Sequence, residues 1–226
     1  ELVTNGSFDT DSDWTKGTGW SIGDGKAISD GTSSNLDQSN TFLSGKTYKV
    51  VYTIEDYVSG DTRFRFTGTS NENGTLRSAN GIYTEYITLT NNQSILRFVG
   101  SGILSITNIS VKEVGQDWAF TSGATLTDIG AKITHTPSAG VITQINSLVI
   151  GKNYKFTYEI TESVSGGLKL NSAVDNTMVI SVGVHTKYFE ADATIFGIAR
   201  TSSSNNDVTI TNISVKEVGQ NWNLSG

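Results

Sequence analysis

The sequence contains no cysteine and, among its 226 residues, a single proline and a single methionine. The first absence excludes disulfides, thiolate metal sites and cysteine nucleophiles. With so little proline there is no proline-rich linker, and with one methionine no adaptable methionine surface. His135 and His185 are the only histidines. Basic residues number 16 against 22 acidic ones, for a net charge of −6. A nucleic-acid binder is expected to carry a basic face, so that class is disfavoured. No apolar run approaches the roughly 18–20 residues a helix needs to span a bilayer, so membrane insertion is not expected. Nor does any stretch sustain the 3.6-residue apolar period of an amphipathic helix.

What fills the space is glycine, 24 residues of it, with abundant serine, threonine and asparagine. Hydrophobic residues make up 36% and charged residues 17%. That balance is low for a helical protein and fits an all-β protein with many turns. The same composition is common among bacterial and viral surface proteins, and an extracellular or virion location is expected.

The chain repeats itself. ITNISVKEVGQ occurs at Ile106–Gln116 and again at Ile210–Gln220, 104 residues apart, followed by Asp117-Trp118 and Asn221-Trp222. GKTYKVVYTI at Gly45–Ile54 answers GKNYKFTYEI at Gly151–Ile160, and Val58-Ser59-Gly60 answers Val164-Ser165-Gly166. A repeat of about 100 residues has the size of one globular domain, longer than the roughly 20–50-residue period of solenoids. The pattern predicts one domain over 1–116 and a second over 117–220. Residues 221–226 read as the start of a third repeat or as a tail exchanged with a neighbour. An unfinished unit leaves a strand edge open to another chain. Val114–Trp118 is too short for a flexible linker, so a semi-rigid joint is expected. The chain opens on Glu1, and both upstream processing and excerpting from a longer array stay open.

Period-two alternation identifies the strands. Tyr48, Val50, Tyr52 and Ile54 face one way, with Thr47, Lys49, Val51 and Thr53 facing the other; Tyr154, Phe156, Tyr158 and Ile160 repeat the inward set. Phe64 and Phe66 turn in while Arg63 and Arg65 turn out, as do Leu168 and Leu170 around Lys169. Leu2-Val3 reads as a short strand, Gly17–Ile28 as a hairpin turning at Gly23-Asp24-Gly25, and 29–44 as a loop. Ile82–Leu89 matches Val184–Ala191, and Ile95–Val99 and Ile195–Ala199 are further short strands. In the closing strand, alternation puts Ile106, Asn108, Ser110 and Lys112 on one face and Thr107, Ile109, Val111 and Glu113 on the other. About eight short strands per repeat predict an all-β chain of two tandem β-sandwich domains, jelly-roll-like.

Asn5-Gly6-Ser7-Phe8-Asp9, Asp13-Trp14, Gly19-Trp20, Leu43–Tyr48 and the closing Ile-x-x-Ile-Ser-Val strand together resemble the galactose-binding-like jelly roll of carbohydrate-binding modules. Tandem units joined by VKEVGQDW resemble repeats of bacteriophage tail-fibre and other structural proteins. The resemblance covers the first repeat, and the second without its opening strand. It implies non-catalytic glycan binding and a structural calcium between the acidic residue after NGxF and acidic residues of the last strand. Asp9 is in place. Asn108 stands where the last strand should be acidic, and the second repeat lacks the opening motif.

Asp9, Asp11 and Asp13 form a D-x-D-x-D run that can supply oxygens to calcium, although Trp14 and Trp20 occupy positions where an EF-hand loop needs Gly and Glu. Trp14, Trp118 and Trp222 recur at the start of each unit, which favours packing over sugar stacking. Trp20 has no aromatic counterpart in the second copy, where the region reads Ala124-Thr125-Leu126, and reads as core. Tyr86 and Tyr188 point outward in both repeats, as do Arg63 and Lys169. An exposed aromatic with a cation and many hydroxyls and amides is a glycan surface in kind. The histidines do not align, His185 matching Tyr83, and no Ser/His/Asp set or carboxylate pair recurs. The sequence therefore predicts no enzyme. Its expected partners are a glycan or cell-surface polysaccharide and neighbouring repeats or copies of itself. A structural spacer or self-assembling filament subunit is the alternative.

Overall fold

The computed structural model describes residues 1–121, 123–134, 140–145, 147–201 and 205–219. His135, Trp222 and the 221–226 tail lie outside them. Among the described residues there is no helix, and every pairing of strands is antiparallel. The chain divides into two compact units, Glu1–Gln116 and Asp117–Gly226.

The first unit runs β1 (Thr15–Lys16), β2 (Trp20–Gly23), β3 (Lys26–Asp30), β4 (Ser34–Phe42), β5 (Thr47–Ser59), β6 (Thr62–Gly68), β7 (Asn71–Asn73), β8 (Gly81–Thr88), β9 (Gln93–Gly100) and β10 (Ile103–Val114). They form two sheets, β1-β4-β9-β6-β7 and β2-β3-β10-β5-β8. The second unit runs β11 (Ala119–Phe120), β12 (Ala124–Thr127), β13 (Gly130–Thr134), β14 (Val141–Gln144), β15 (Asn153–Ser165), β16 (Leu168–Leu170), β17 (Gly183–Glu190), β18 (Phe196–Arg200) and β19 (Asp207–Glu217). Its sheets are β11-β14-β18-β16 and β12-β13-β19-β15-β17. From β4 on, and from β14 on, the chain crosses to the opposite sheet at nearly every step. Each unit is thus a β-sandwich wound like a jelly roll.

Each sandwich closes on aromatic side chains that the alternation sends inward. Tyr48, Val50, Tyr52 and Ile54 are buried against Phe42, Phe64, Phe66 and Phe98. Phe156, Tyr158 and Ile160 are buried against Leu168, Leu170, Phe196 and Ile198. The tyrosine hydroxyls at the start of each central strand do the same work twice. Leu43 N–H donates to Tyr48 Oη at 2.8 Å, and Val149 N–H to Tyr154 Oη at 2.9 Å. Burial raises the Tyr48 phenol above its ordinary pKa.

Three expectations change. Residues 34–42 are a strand, not a loop. Their polar composition disguises them, but β9 supplies the partner, and Arg97 holds Asp37 with bonds of 2.8 and 2.6 Å. Leu2-Val3 forms no strand, although Leu2 N–H donates to Val111 O at 2.9 Å. The closing strand does not alternate strictly. Its pairing with β5 slips between Thr107 and Ser110, where Asn108 takes φ 52°. One extra residue there is a β-bulge. Ile106, Ile109 and Val111 are consequently all buried while Lys112 is exposed. The same slip recurs in β19 between Thr211 and Ser214, with Asn212 at φ 50°.

In the first unit the bulge is clasped by the opening loop. Ile109 N–H donates to Gly6 O at 2.9 Å. A Cβ on Gly6 would stand 2.0 Å from Ile109 O. Gly6→Ala should therefore destabilise the protein by about 1–3 kcal/mol through overpacking. Gly23→Ala, which meets nothing within 4 Å, should stay within about 0.5 kcal/mol. Urea unfolding of the two variants checks the contrast.

Candidate functional site

The D-x-D-x-D run does not converge. Asp9 accepts from Ser7 Oγ at 2.7 Å and Asp13 from Ser12 Oγ at 2.6 Å, while Asp11 pairs with Lys16. The loop is closed by an amide instead: Asn5 Nδ2 donates to Thr10 O at 2.7 Å and Ser12 O at 3.1 Å. That neutral amide, and not a carboxylate, is what ties the loop together. Trp14 seals the loop beneath, donating Nε1–H to Asn5 O at 3.1 Å and packing on Phe8 at 5.4 Å. Among the described residues no group of three or more His, Cys, Asp or Glu is arranged to hold a metal. The residues present do not fit the calcium implied by the resemblance.

Among the described residues the other tryptophans, Trp20 and Trp118, also pack. Trp20 is buried, and Trp118 meets Phe196 edge-on at 6.1 Å. Trp20 sits opposite Ser29, and at the matching place Ala124 sits opposite Ile133. Large faces small in one unit and small faces large in the other, so the pair conserves volume.

Tyr86 lies on β8 and Tyr188 on β17, each the outermost strand of its sheet. Tyr188 is 65% exposed, and Tyr86 is half-buried. Arg63 on β6 and Lys169 on β16 belong to the opposite sheets. The structure therefore does not bring Arg63 to Tyr86, or Lys169 to Tyr188. Both cations are half-buried between inward neighbours. Arg65, beside Arg63, is held below the ordinary guanidinium pKa by burial and then by the charges of Arg63 and Arg97.

The cations beside the tyrosines are Lys49 and Lys155. Lys49 is the register partner of Tyr86, with Nζ 5.6 Å from the ring centroid. Lys155 is the register partner of Tyr188. Both lysines were visible as outward positions of alternating strands. Which strand lay alongside was not, because pairing is set by topology.

Tyr188 also borders a cleft of about 380 Å³ with Val174, Asp175, Glu190 and Asp192. Asp175 is bound by Lys187 at 2.8 Å. The hydrogen bond and charge of Lys187 hold that carboxyl below its usual pKa. An aliphatic wall, a phenol and several carboxylates suit the apolar face and hydroxyl rim of a sugar.

Elsewhere carboxylates are tied to cations in structural pairs. Lys26 bridges Glu55 at 2.8 Å and Asp56 at 3.0 Å, and Lys132 bridges Glu162 at 3.2 Å and Asp207 at 2.9 Å. His185 is bound through Nε2 to Ser181 O at 2.6 Å and its ring lies 5.4 Å from Tyr158.

No protein-family model and no curated protein sequence matches the chain. Among solved structures it is similar to the tandem CBM22-1–CBM22-2 domain of Paenibacillus barcinonensis Xyn10C, at 8% identity and TM-score 0.30, covering 93% of this chain and 96% of that one. It is also similar to the secreted serine protease VesC of Vibrio cholerae, at 10% identity and TM-score 0.31, covering 81% of this chain and 48% of that one. Likenesses at this level decide neither fold nor ligand.

The opening loop yields a prediction. Asn5→Asp turns a donor into an acceptor facing two carbonyl oxygens, and should destabilise by about 1–3 kcal/mol. Scanning calorimetry should show the parent midpoint unmoved by calcium or chelator, and the variant's midpoint lowered.

Proposed function

We propose that the chain is a non-catalytic glycan-binding surface module, working outside the cell or on a virion as part of a fibre or adhesin array. One observation carries the reading: a tyrosine stands at the same outward place on the same outer strand of both sandwiches, with a lysine as its register partner each time. Phenol faces stack on sugar rings, and the ammonium bonds hydroxyls at the rim. The cleft beside Tyr188 adds walls for a second sugar.

A spacer or filament subunit is the second reading. It is favoured by β8 and β17 being the last strands of their sheets among the described residues, with Ile82 75% and Val184 74% exposed on them. An unpaired edge with apolar side chains is a template for another chain.

A broad glycan array separates the two. Under the glycan reading the parent binds a definable set of glycans, and combining Tyr86→Ala with Tyr188→Ala lowers affinity by about tenfold or more while circular dichroism is unchanged. Binding to no glycan, with light scattering and negative-stain microscopy showing ordered polymers, would establish the spacer instead.

A further inference from the structure

We infer that the first unit holds an acidic-sugar subsite on the outer face of the sheet opposite Tyr86, built from Arg63 and Arg65 on β6 and Asn71 and Asn73 on β7. The inference rests on the glycan-binding reading, adds a second place of contact to it and names the chemical class that place takes. The register lays one straight outward row across all the strands of this sheet: Thr15 on β1, Asp37 on β4, Arg97 on β9, Arg65 on β6 and Asn73 on β7. Arg63 and Thr67 flank Arg65 on the same face, each about 7 Å away along the strand. Asn71 lies opposite Thr67.

Three guanidinium groups meet on this face, and one carboxylate answers them. Asp37 holds Arg97 in a two-pronged pair at 2.8 and 2.6 Å. Arg65 stands directly opposite Arg97 and two residues from Arg63, and like charges placed opposite one another destabilise a sheet. Arg63 and Arg65 form no ion pair among the described residues. Asp61, two residues before Arg63, does not reach it, and Glu72 on β7 is turned to Thr90, whose N–H it accepts at 3.0 Å. An oxyanion lying over Arg65 would balance the charge that the fold leaves in place there.

The amides around the arginines are turned to donate. Arg65 Nε donates to Asn73 Oδ1 at 2.7 Å, and Thr67 Oγ1 donates to Asn71 Oδ1 at 2.7 Å. Each amide oxygen is thereby occupied, while neither Nδ2 group donates to a described residue and both side chains are exposed. The β6–β7 end of the face thus presents guanidinium and amide N–H groups and few lone pairs. That is the complement of a carboxylate or sulfate, whose oxygens only accept, and the planar arginine fork matches such a group with two parallel bonds. On β4 the same face continues as Asn35, Asp37 and Ser39. Those side chains mix donors and acceptors and suit the hydroxyls of an adjoining neutral sugar.

The second unit shows the same face without the site. Thr143 pairs with Gly197, and Asn171 N–H donates to Gly197 O at 2.8 Å, so Thr143, Gly197 and Asn171 stand where the first unit has Asp37, Arg97 and Arg65. A Cβ on Gly197 would lie 3.3 Å from Asn171 Cβ and 3.4 Å from Thr143 Cγ2. That row is close-packed and uncharged. Lys169 takes the place of Arg63, and among the described residues the sheet ends at β16, with no counterpart of β7. An acidic sugar therefore has one such site per chain, whereas the outward tyrosine occurs in both units. Two unpaired guanidinium groups, on a chain of net charge −6, are few for a phosphate backbone, which favours a glycan over nucleic acid.

The test is calorimetric titration of the whole chain with hexagalacturonate and a chondroitin sulfate hexasaccharide, against cellohexaose and a single-stranded oligonucleotide. At least one acidic oligosaccharide should bind, at one site per chain, with affinity falling as salt rises from about 50 to about 200 mM. Combining Arg63→Gln with Arg65→Gln should weaken it about tenfold or more, and Lys169→Gln should leave it unchanged. Arg63→Gln alone, which breaks no bond among the described residues, should still weaken it about threefold or more, so the test stands even if the double variant fails to fold by circular dichroism. Binding confined to cellohexaose, or acidic binding unchanged by the arginine changes, overturns the subsite while leaving the glycan reading standing. Two equal acidic sites per chain overturn it too, since the second unit lacks the row. Preferential binding of the oligonucleotide overturns both, as does the absence of any glycan binding.

Discussion

One extra residue in the closing strand of each unit sets the phase of much that follows. A strand alternates with period two, so a one-residue insertion sends every later side chain to the other face. Asn108 and Asn212 absorb that residue at φ 52° and 50°, a left-handed conformation that asparagine tolerates better than most residues. Without the slip, Ile106 and Val111 could not both lie in the core, and Lys112 would point inward with Ile106. With it, Ile106 and Val111 are fully buried and Lys112 reaches solvent. The bulge thus builds the sandwich interior and the outward lysine in one step.

The two units solve the same packing problem with different side chains. Phe64 and Phe66 fill the middle of the first sandwich where Leu168 and Leu170 fill the second. Trp20 opposite Ser29 becomes Ala124 opposite Ile133. Such exchanges are tolerated because a core asks for total volume and apolarity before it asks for particular shapes. The outer face of β8 and β17 keeps Thr84/Thr186 and Tyr86/Tyr188.

Electrostatics gives that face its character. The chain is acidic overall, and most of its lysines sit within 3.5 Å of carboxylates in exposed or half-exposed pairs that contribute little each. In the second unit Lys155 stands in register between Tyr188 and Lys216.

The all-β class was legible from composition, from the absence of any 3.6-residue period, and from the alternation of Tyr48–Ile54 and Tyr154–Ile160. The outward placement of Tyr86, Tyr188, Lys49 and Lys155 was legible too, since each depends only on its position along its own strand. Ser34–Phe42 was not, because a polar strand owes its existence to its partners β9 and β1. The bulge was not, because one left-handed asparagine leaves the residue pattern looking regular. The neighbours of each tyrosine were also out of reach. Arg63 and Lys169 share the outward direction of Tyr86 and Tyr188 but stand on opposite sheets. The sequence by itself determined which side chains leave the core, since that is local to one strand and periodic. Only the tertiary structure decided which of them meet, since hydrogen-bonded pairing joins residues far apart in the chain and no local pattern encodes it.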